Sequence, residues 1–301
     1  MIKKLVYIIA AVVICLVAFN MVRSHYSNQP HKIAPEPQVD TTVHKSEALK
    51  PEETLNPAAH DPKNLELVQH YTDEINKVST DATNYYLRAL TYHKMQQYSA
   101  AIQDFDAAIK IAPGSANAFF GRGLTYYAQK AFDKAADDFS QAIKLTPKDP
   151  HIYNARGVVY VDQNKADLAI SDFNQAITID PTYGSAYFNR GTAYEQQKNS
   201  KLALESYSKA IENNKAEVDQ EDPAAVTHRL IEAYYRRAIV ELDLNDANAA
   251  LKDINLVIEQ DPKSGKAFKL RSAINEKLGN TAAAISDQST ADTLSIESMM
   301  K

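Results

Sequence analysis

The apolar positions of this chain fall into three regimes. From Leu5 to Val22 they are almost continuous, with Asn20 the one strongly polar interruption. From Ser24 to Pro62 they lose all periodicity. From Asn64 onwards they recur at helical spacing, and the pattern then repeats every 34 residues. The stretch from Asn64 to Ser79 sets Leu67, Tyr71, Ile75 and Val78 on one stripe, which predicts a single helix capping whatever follows.

The repeat holds for six copies. Segments NYYLRALTYH, AFFGRGLTYY, IYNARGVVYV, AYFNRGTAYE, AYYRRAIVEL and AFKLRSAINE begin at Asn84, Ala118, Ile152, Ala186, Ala233 and Ala267, so successive starts differ by 34, 34, 34, 47 and 34 residues. A second set keeps the same register, from AAIQDFDAAIKIAP at Ala100 to a degraded AAISDQSTADTLSI at Ala283. Each copy predicts two helices and two turns, hence an all-α fold. Counting copies from residues 82, 116, 150, 184, 231 and 265, position 4 is aromatic throughout (Tyr85, Phe119, Tyr153, Tyr187, Tyr234, Phe268). Position 20 is always alanine. Small residues at position 8, namely Ala89, Gly123, Gly157 and Gly191, let helix backbones approach closely. Pro113, Pro147, Pro181 and Pro262 end the second helix, because proline cannot continue one.

These segments resemble the tetratricopeptide-repeat (TPR) family, whose pattern has a large residue at position 4, small ones at 8, 20 and 27, aromatics at 11 and 24, and Pro at 32. The resemblance covers residues 82 to about 295. It implies a right-handed α-α superhelical solenoid of helical hairpins, here preceded by a single N-terminal transmembrane or signal helix. The expected organisation is 1–23 signal-anchor or signal peptide, 24–63 linker and 64–81 cap helix. Repeats follow at 82–115, 116–149, 150–183 and 184–215, then an insertion at 216–230, a repeat at 231–264 and a last repeat with its cap at 265–301. In the last two copies Glu241 and Asn275 stand where position 11 is otherwise tyrosine, and Gln288 replaces the position-24 aromatic. Loss of apolar residues towards the end of a solenoid is what a water-facing terminal repeat needs.

By the same resemblance the first helices line a groove that binds a protein or peptide. Its candidate contact residues are Tyr86, His93, Phe120, Tyr127, Asn154, Phe188, Glu195 and Tyr235. Exposed aromatics in a concavity suit an extended or helical peptide; packing between repeats is the alternative. Some family members grip a C-terminal carboxylate with five Lys, Asn and Arg side chains. The best trial register here, Asn154, Val158, Asn189, Glu232 and Arg236, lacks two of the required groups.

Position 7 is arginine in every copy: Arg88, Arg122, Arg156, Arg190, Arg237 and Arg271. Position 23 is aspartate in five, Asp104, Asp138, Asp172, Asp253 and Asp287, with Ser206 the exception. In an antiparallel hairpin turning near position 15 these two positions lie level. Two readings follow: a ladder of bidentate Arg–carboxylate pairs that fixes register, or a row of arginines gripping an anionic ligand. The 47-residue step comes from an insertion in which Lys215 occupies the place of the helix-ending proline, and Asp222-Pro223 resembles an N-cap and first helical residue. Its acidic cluster, Glu217, Asp219, Glu221 and Asp222, reads as a solvated loop or as a lip for a partner.

Charge narrows the partners. The chain carries 33 Lys/Arg and 38 Asp/Glu, and the whole of the acidic excess lies beyond residue 63, which disfavours nucleic acid. Cys15 is the only cysteine, so no disulfide forms within the chain, and Ile14 before it does not fit a lipoprotein signal. No phosphate loop, HExxH, Gly-x-Ser-x-Gly or cluster of metal ligands is present, so neither an enzyme, a cofactor nor a metal is expected. Residues 5–22, after Lys3 and Lys4, form an apolar run just long enough to span a bilayer, and the alternative is a cleaved signal. The charge balance puts the N-terminus in the cytoplasm and the repeats outside, in the periplasm if the source is bacterial. The whole reads as a scaffold of the cell envelope, tethered to the membrane by one helix. Alternatives are a secreted or periplasmic soluble repeat protein and a membrane adaptor facing the cytosol.

Overall fold

The computed structural model describes residues 58, 61–217 and 223–299. The expected anchor over 1–23, nearly all of the linker and the acidic residues Asp219, Glu221 and Asp222 lie outside them. Among the described residues there are thirteen α-helices and no strand, and none of the helices is long and apolar enough to cross a membrane.

The helices divide into two compact units at Pro147 and Lys148. The first contains α1 (Pro62–Lys77) and two hairpins, α2/α3 (Ala82–Lys94 and Tyr98–Ile111) and α4/α5 (Ala116–Ala128 and Phe132–Leu145). The second contains four hairpins: α6/α7 (Pro150–Asp162 and Ala166–Ile179), α8/α9 (Gly184–Gln196 and Ser200–Glu217), α10/α11 (Pro223–Asp243 and Ala247–Gln260) and α12/α13 (Gly265–Lys277 and Thr281–Met299). Within each unit every helix packs on the one before and the one after it, so the hairpins stack in chain order.

All six hairpins close with the same turn. The residue at position 15 takes a left-handed backbone, at φ between 56° and 78°: Gln96, Lys130, Asn164, Lys198, Asn245 and Gly279. The next amide then donates back to the carbonyl five residues earlier, as Gln97 N does to Tyr92 O (2.8 Å) and Lys165 N to Tyr160 O (2.8 Å). This bond satisfies a carbonyl left open at the end of the first helix. The far ends are set by other means. Ala112, Thr146 and Asp180 close α3, α5 and α7 outside the helical region, each directly before proline, whose ring disfavours a helical backbone in its predecessor. Where Lys215 replaces that proline the helix does not stop: α9 runs on to Glu217, and α10 starts at Pro223. Most of the 216–230 insertion is therefore helical, and it lengthens the second helix of one hairpin and the first helix of the next.

Two expectations are corrected. Of the stripe on α1 only Ile75 is buried; Leu67 is 41% exposed, and Val78, which caps the helix, 52%. Glu241 and Asn275 do not meet water, being 8% and 5% exposed. Asn275 donates to Asp287 at 3.0 Å, so its amide is drawn inward by an acceptor that a surface residue would lack.

Candidate functional site

The core of each hairpin is a ring against a small residue. Phe139, Phe173 and Tyr207 at position 24 lie on Gly123, Gly157 and Gly191, where an added Cβ would stand 2.7, 2.5 and 2.6 Å from the ring. Beside this contact sits the arginine. Arg88, Arg122, Arg156, Arg237 and Arg271 each clasp the aspartate sixteen residues on with two parallel bonds of 2.6 to 2.9 Å. In copy 4 the position-23 partner is a hydroxyl, and Arg190 donates to Ser206 at 3.1 Å. Nη1 reaches back to the helix before the hairpin: Arg88 to Thr72, Arg122 to Asp106, Arg190 to Asn174, Arg237 to Ser208 and Arg271 to Asn255. Burial pushes Asp138 and Asp172 above the ordinary carboxylate range, against the pull of their arginines. The guanidinium groups are spent on protein partners, so of the two readings of this row the geometry is that of a register-fixing ladder.

Aromatic rings complete the clamp. Tyr85 and Tyr92 flank Arg88, Phe119 and Tyr126 flank Arg122, and Tyr153 and Tyr160 flank Arg156, with ring centroids 5.6 to 6.0 Å from the guanidinium carbon. In copies 1 to 3, positions 4 and 11 thus hold rings against a cation.

The eight candidate groove residues divide unequally. Tyr86, His93, Phe120, Tyr127, Asn154 and Tyr235 are buried, whereas Phe188 and Glu195 are half-buried. Tyr86 packs on Phe105, Phe120 on Phe139, Tyr127 on Phe132 and Phe188 on Tyr207, at 5.5 to 6.0 Å between ring centroids. Of the two readings of these aromatics, exposed contacts or packing between repeats, the burial of Tyr86, Phe120, Tyr127 and Tyr235 favours packing. His93 is bonded to Thr125 at 2.9 Å. Thr125 spends its own proton on Gly121 O, so His93 is the donor. Burial lowers the His93 pKa to about 4. Asn189 donates to Asn154 at 2.9 Å, which consumes two amides of the trial carboxylate grip.

What the first helices of the second unit do present is charge. Arg236 on α10 bonds Glu232 one turn back at 3.2 Å and meets Glu195 of α8 at 3.5 Å. Glu232 also accepts from Lys266 of α12 at 3.1 Å, and the Lys266 ammonium lies 4.8 Å above the Tyr235 ring. The buried Tyr207 hydroxyl closes the row by donating to Glu195. Burial raises Glu195, with Arg236 opposing it. At Glu232 burial acts in the same sense, but Lys266 and Arg236 outweigh it and hold this carboxyl below its ordinary value. The four residues form an alternating row, Glu195, Arg236, Glu232, Lys266, across three first helices, with Lys266 55% exposed at its open end. Of these, only Glu195 is among the candidate groove residues. The readable signal was the opposite charge at position 2 of adjacent copies, Glu232 and Lys266.

Family profiles described as tetratricopeptide repeat match residues 86–150 and 184–215, and one described as TPR repeat matches 159–198. A search of curated proteins finds no match. Among solved structures the chain is similar to YrrB, described as a TPR protein with an unusual peptide-binding site. The identity is 20%, over 66% of this chain and 96% of that one, with a TM-score of 0.52. It is similar too to PilW, a type IV pilus biogenesis factor, at 21% identity over 70% and 92% of the two chains, TM-score 0.58. Pseudomonas aeruginosa pilF aligns at 15% identity over 78% and 91%, TM-score 0.56. At such identities the structures speak for the fold alone. Three profile matches laid over stacked, identically turned hairpins make residues 86–150 and 159–215 tetratricopeptide repeats.

Proposed function

We propose that this protein is a membrane-tethered scaffold that binds a protein or peptide segment along the first helices of its second unit, on the extracytoplasmic side. The observation that carries the binding part is the row Glu195, Arg236, Glu232, Lys266. A ligand that meets Lys266 and the half-buried Phe188 finds preset charges and a ring edge on rigid helices, at little ordering cost. The resemblance to a TPR protein with a peptide-binding site supports a peptide ligand, and resemblance to pilus biogenesis factors supports an envelope setting. The tether rests on the apolar run 5–22 and the lysines before it.

A photo-crosslinking residue placed at Phe188, or at the exposed Lys269 that holds the same repeat position on α12, tests the surface in intact cells, with Lys201 on α9 as the control position. Defined partners captured from the first two sites, and lost when Lys266 is changed to Glu, are the expected result. Equal capture from Lys201, or capture indifferent to Lys266→Glu, overturns it. A reporter fused after Lys301 that works only in the cytosol overturns the extracytoplasmic placement without touching the binding surface.

A further inference from the structure

The last hairpin lacks one half of its cation sandwich. In copy 2 the ring of Tyr126 lies over Arg122 and within 5.3 Å of the Lys134 ammonium, and its hydroxyl feels Asp106 and Asp138. In the same register copy 6 has Arg271, Ala283, Asn255 and Asp287, and Asn275 stands in place of the tyrosine. Asn275 folds inward to Asp287. Phe268 covers one side of the Arg271 guanidinium at 5.2 Å. Beside the Arg271 guanidinium a depression of about 290 Å³, open to solvent, lies between α11, α12 and α13 and is lined by Leu251, Asn255, Arg271, Asn275, Ala283, Ser286 and Asp287. Arg271 lies five residues beyond Lys266, roughly 140° round the same helix, so this opening is a surface separate from the charged row.

We propose that the depression docks one aromatic side chain of a partner peptide, a tyrosine, which stacks on Arg271 opposite Phe268 and supplies from outside the ring that Asn275 omits. Copies 1 to 3 are the templates: each fills this place with its own tyrosine, Tyr92, Tyr126 or Tyr160. The cation offers its free face to a π-system, and the amide of Asn255 and hydroxyl of Ser286 can serve a phenol that the rest of an apolar side chain could not use. A leucine of similar bulk gains neither contact.

The test is methyl NMR on the full chain in detergent, labelled at alanine and leucine methyls and titrated with N-acetyl-tyrosine amide and, separately, N-acetyl-leucine amide. Saturable ring-current shifts at Ala283 and Leu251 with the tyrosine compound, absent with the leucine compound, are expected. They should vanish in Asn275→Tyr, which refills the depression from within, and in Ala283→Leu, which narrows it from an exposed position; thermal melts check that both variants fold. No shift at either methyl, equal shifts with both compounds, or shifts that survive in both folded variants overturns the proposal.

Discussion

Gly157 and Phe173 pack so closely that a methyl group on the glycine would stand 2.5 Å from the ring's Cε1. Neither partner can yield, since Phe173 is fully buried and Gly157 is on a helix backbone. Gly157→Ala should therefore destabilise by about 1 to 3 kcal/mol, read as a lower thermal midpoint. Gly114, with nothing within 4 Å of its added Cβ, is the control and should change little.

Arg156 and Asp172 test whether the ladder stabilises or only specifies. Arg156→Met leaves Asp172, whose side chain is 7% exposed, without its cation, at a cost of about 3 to 5 kcal/mol. Pairing it with Asp172→Leu removes the orphaned charge, and the double variant should recover most of the loss. A double variant as unstable as the sum of the singles in denaturant titrations would show that the two residues act independently.

Lys130 holds a left-handed backbone, φ 60°, that a side chain disfavours by about 1 to 2 kcal/mol. Lys130→Gly should relieve part of this at the α4/α5 turn, offset by the glycine's greater freedom when unfolded. A small gain in thermal midpoint is expected, and the same change at Gln96 should behave alike because its turn has the same bonds.

Glu241 replaces a sandwiching tyrosine, and its Oε2 has no hydrogen-bond partner among the described residues. Burial, with Asp253 adding to it and Arg237 opposing, pushes this carboxyl up to about 7. Its folded pKa lies above its unfolded one, so the folded state holds the proton more tightly. Stability is then greatest at acid pH and falls as pH rises from about 4.5 to 7. Glu241→Gln should flatten that fall and gain roughly 1 to 2 kcal/mol at pH 8 after allowance for solvent screening. Urea midpoints measured at pH 5 and pH 8 decide it.

The helical hairpins were legible because packing imposes size at fixed intervals: Gly157 must be small and Phe173 large whatever the protein does. The pairing of Arg122 with Asp138 was legible too, since two charged positions sixteen residues apart fall level in a hairpin. The groove was not. The family resemblance puts Tyr86 and Phe120 on a groove-lining face, but how deeply a ring sinks depends on the neighbouring helix, and that distance has no sequence signature. Nor does a left-handed Lys130, where a glycine would have announced the turn. Glu241 misled for a related reason: a carboxylate looks like a surface residue until Arg237 and Asp253 are found beside it.

The arginine clamps are uniform except at copy 4, where Arg190 meets the neutral hydroxyl of Ser206. In a linear array each repeat has a stability of its own besides its coupling to its neighbours. Copy 4 keeps its link to copy 3, Arg190 to Asn174, but lacks the internal charge pair of the other five. Amide exchange in α8 and α9 is therefore expected to run ahead of exchange in α10 and α11.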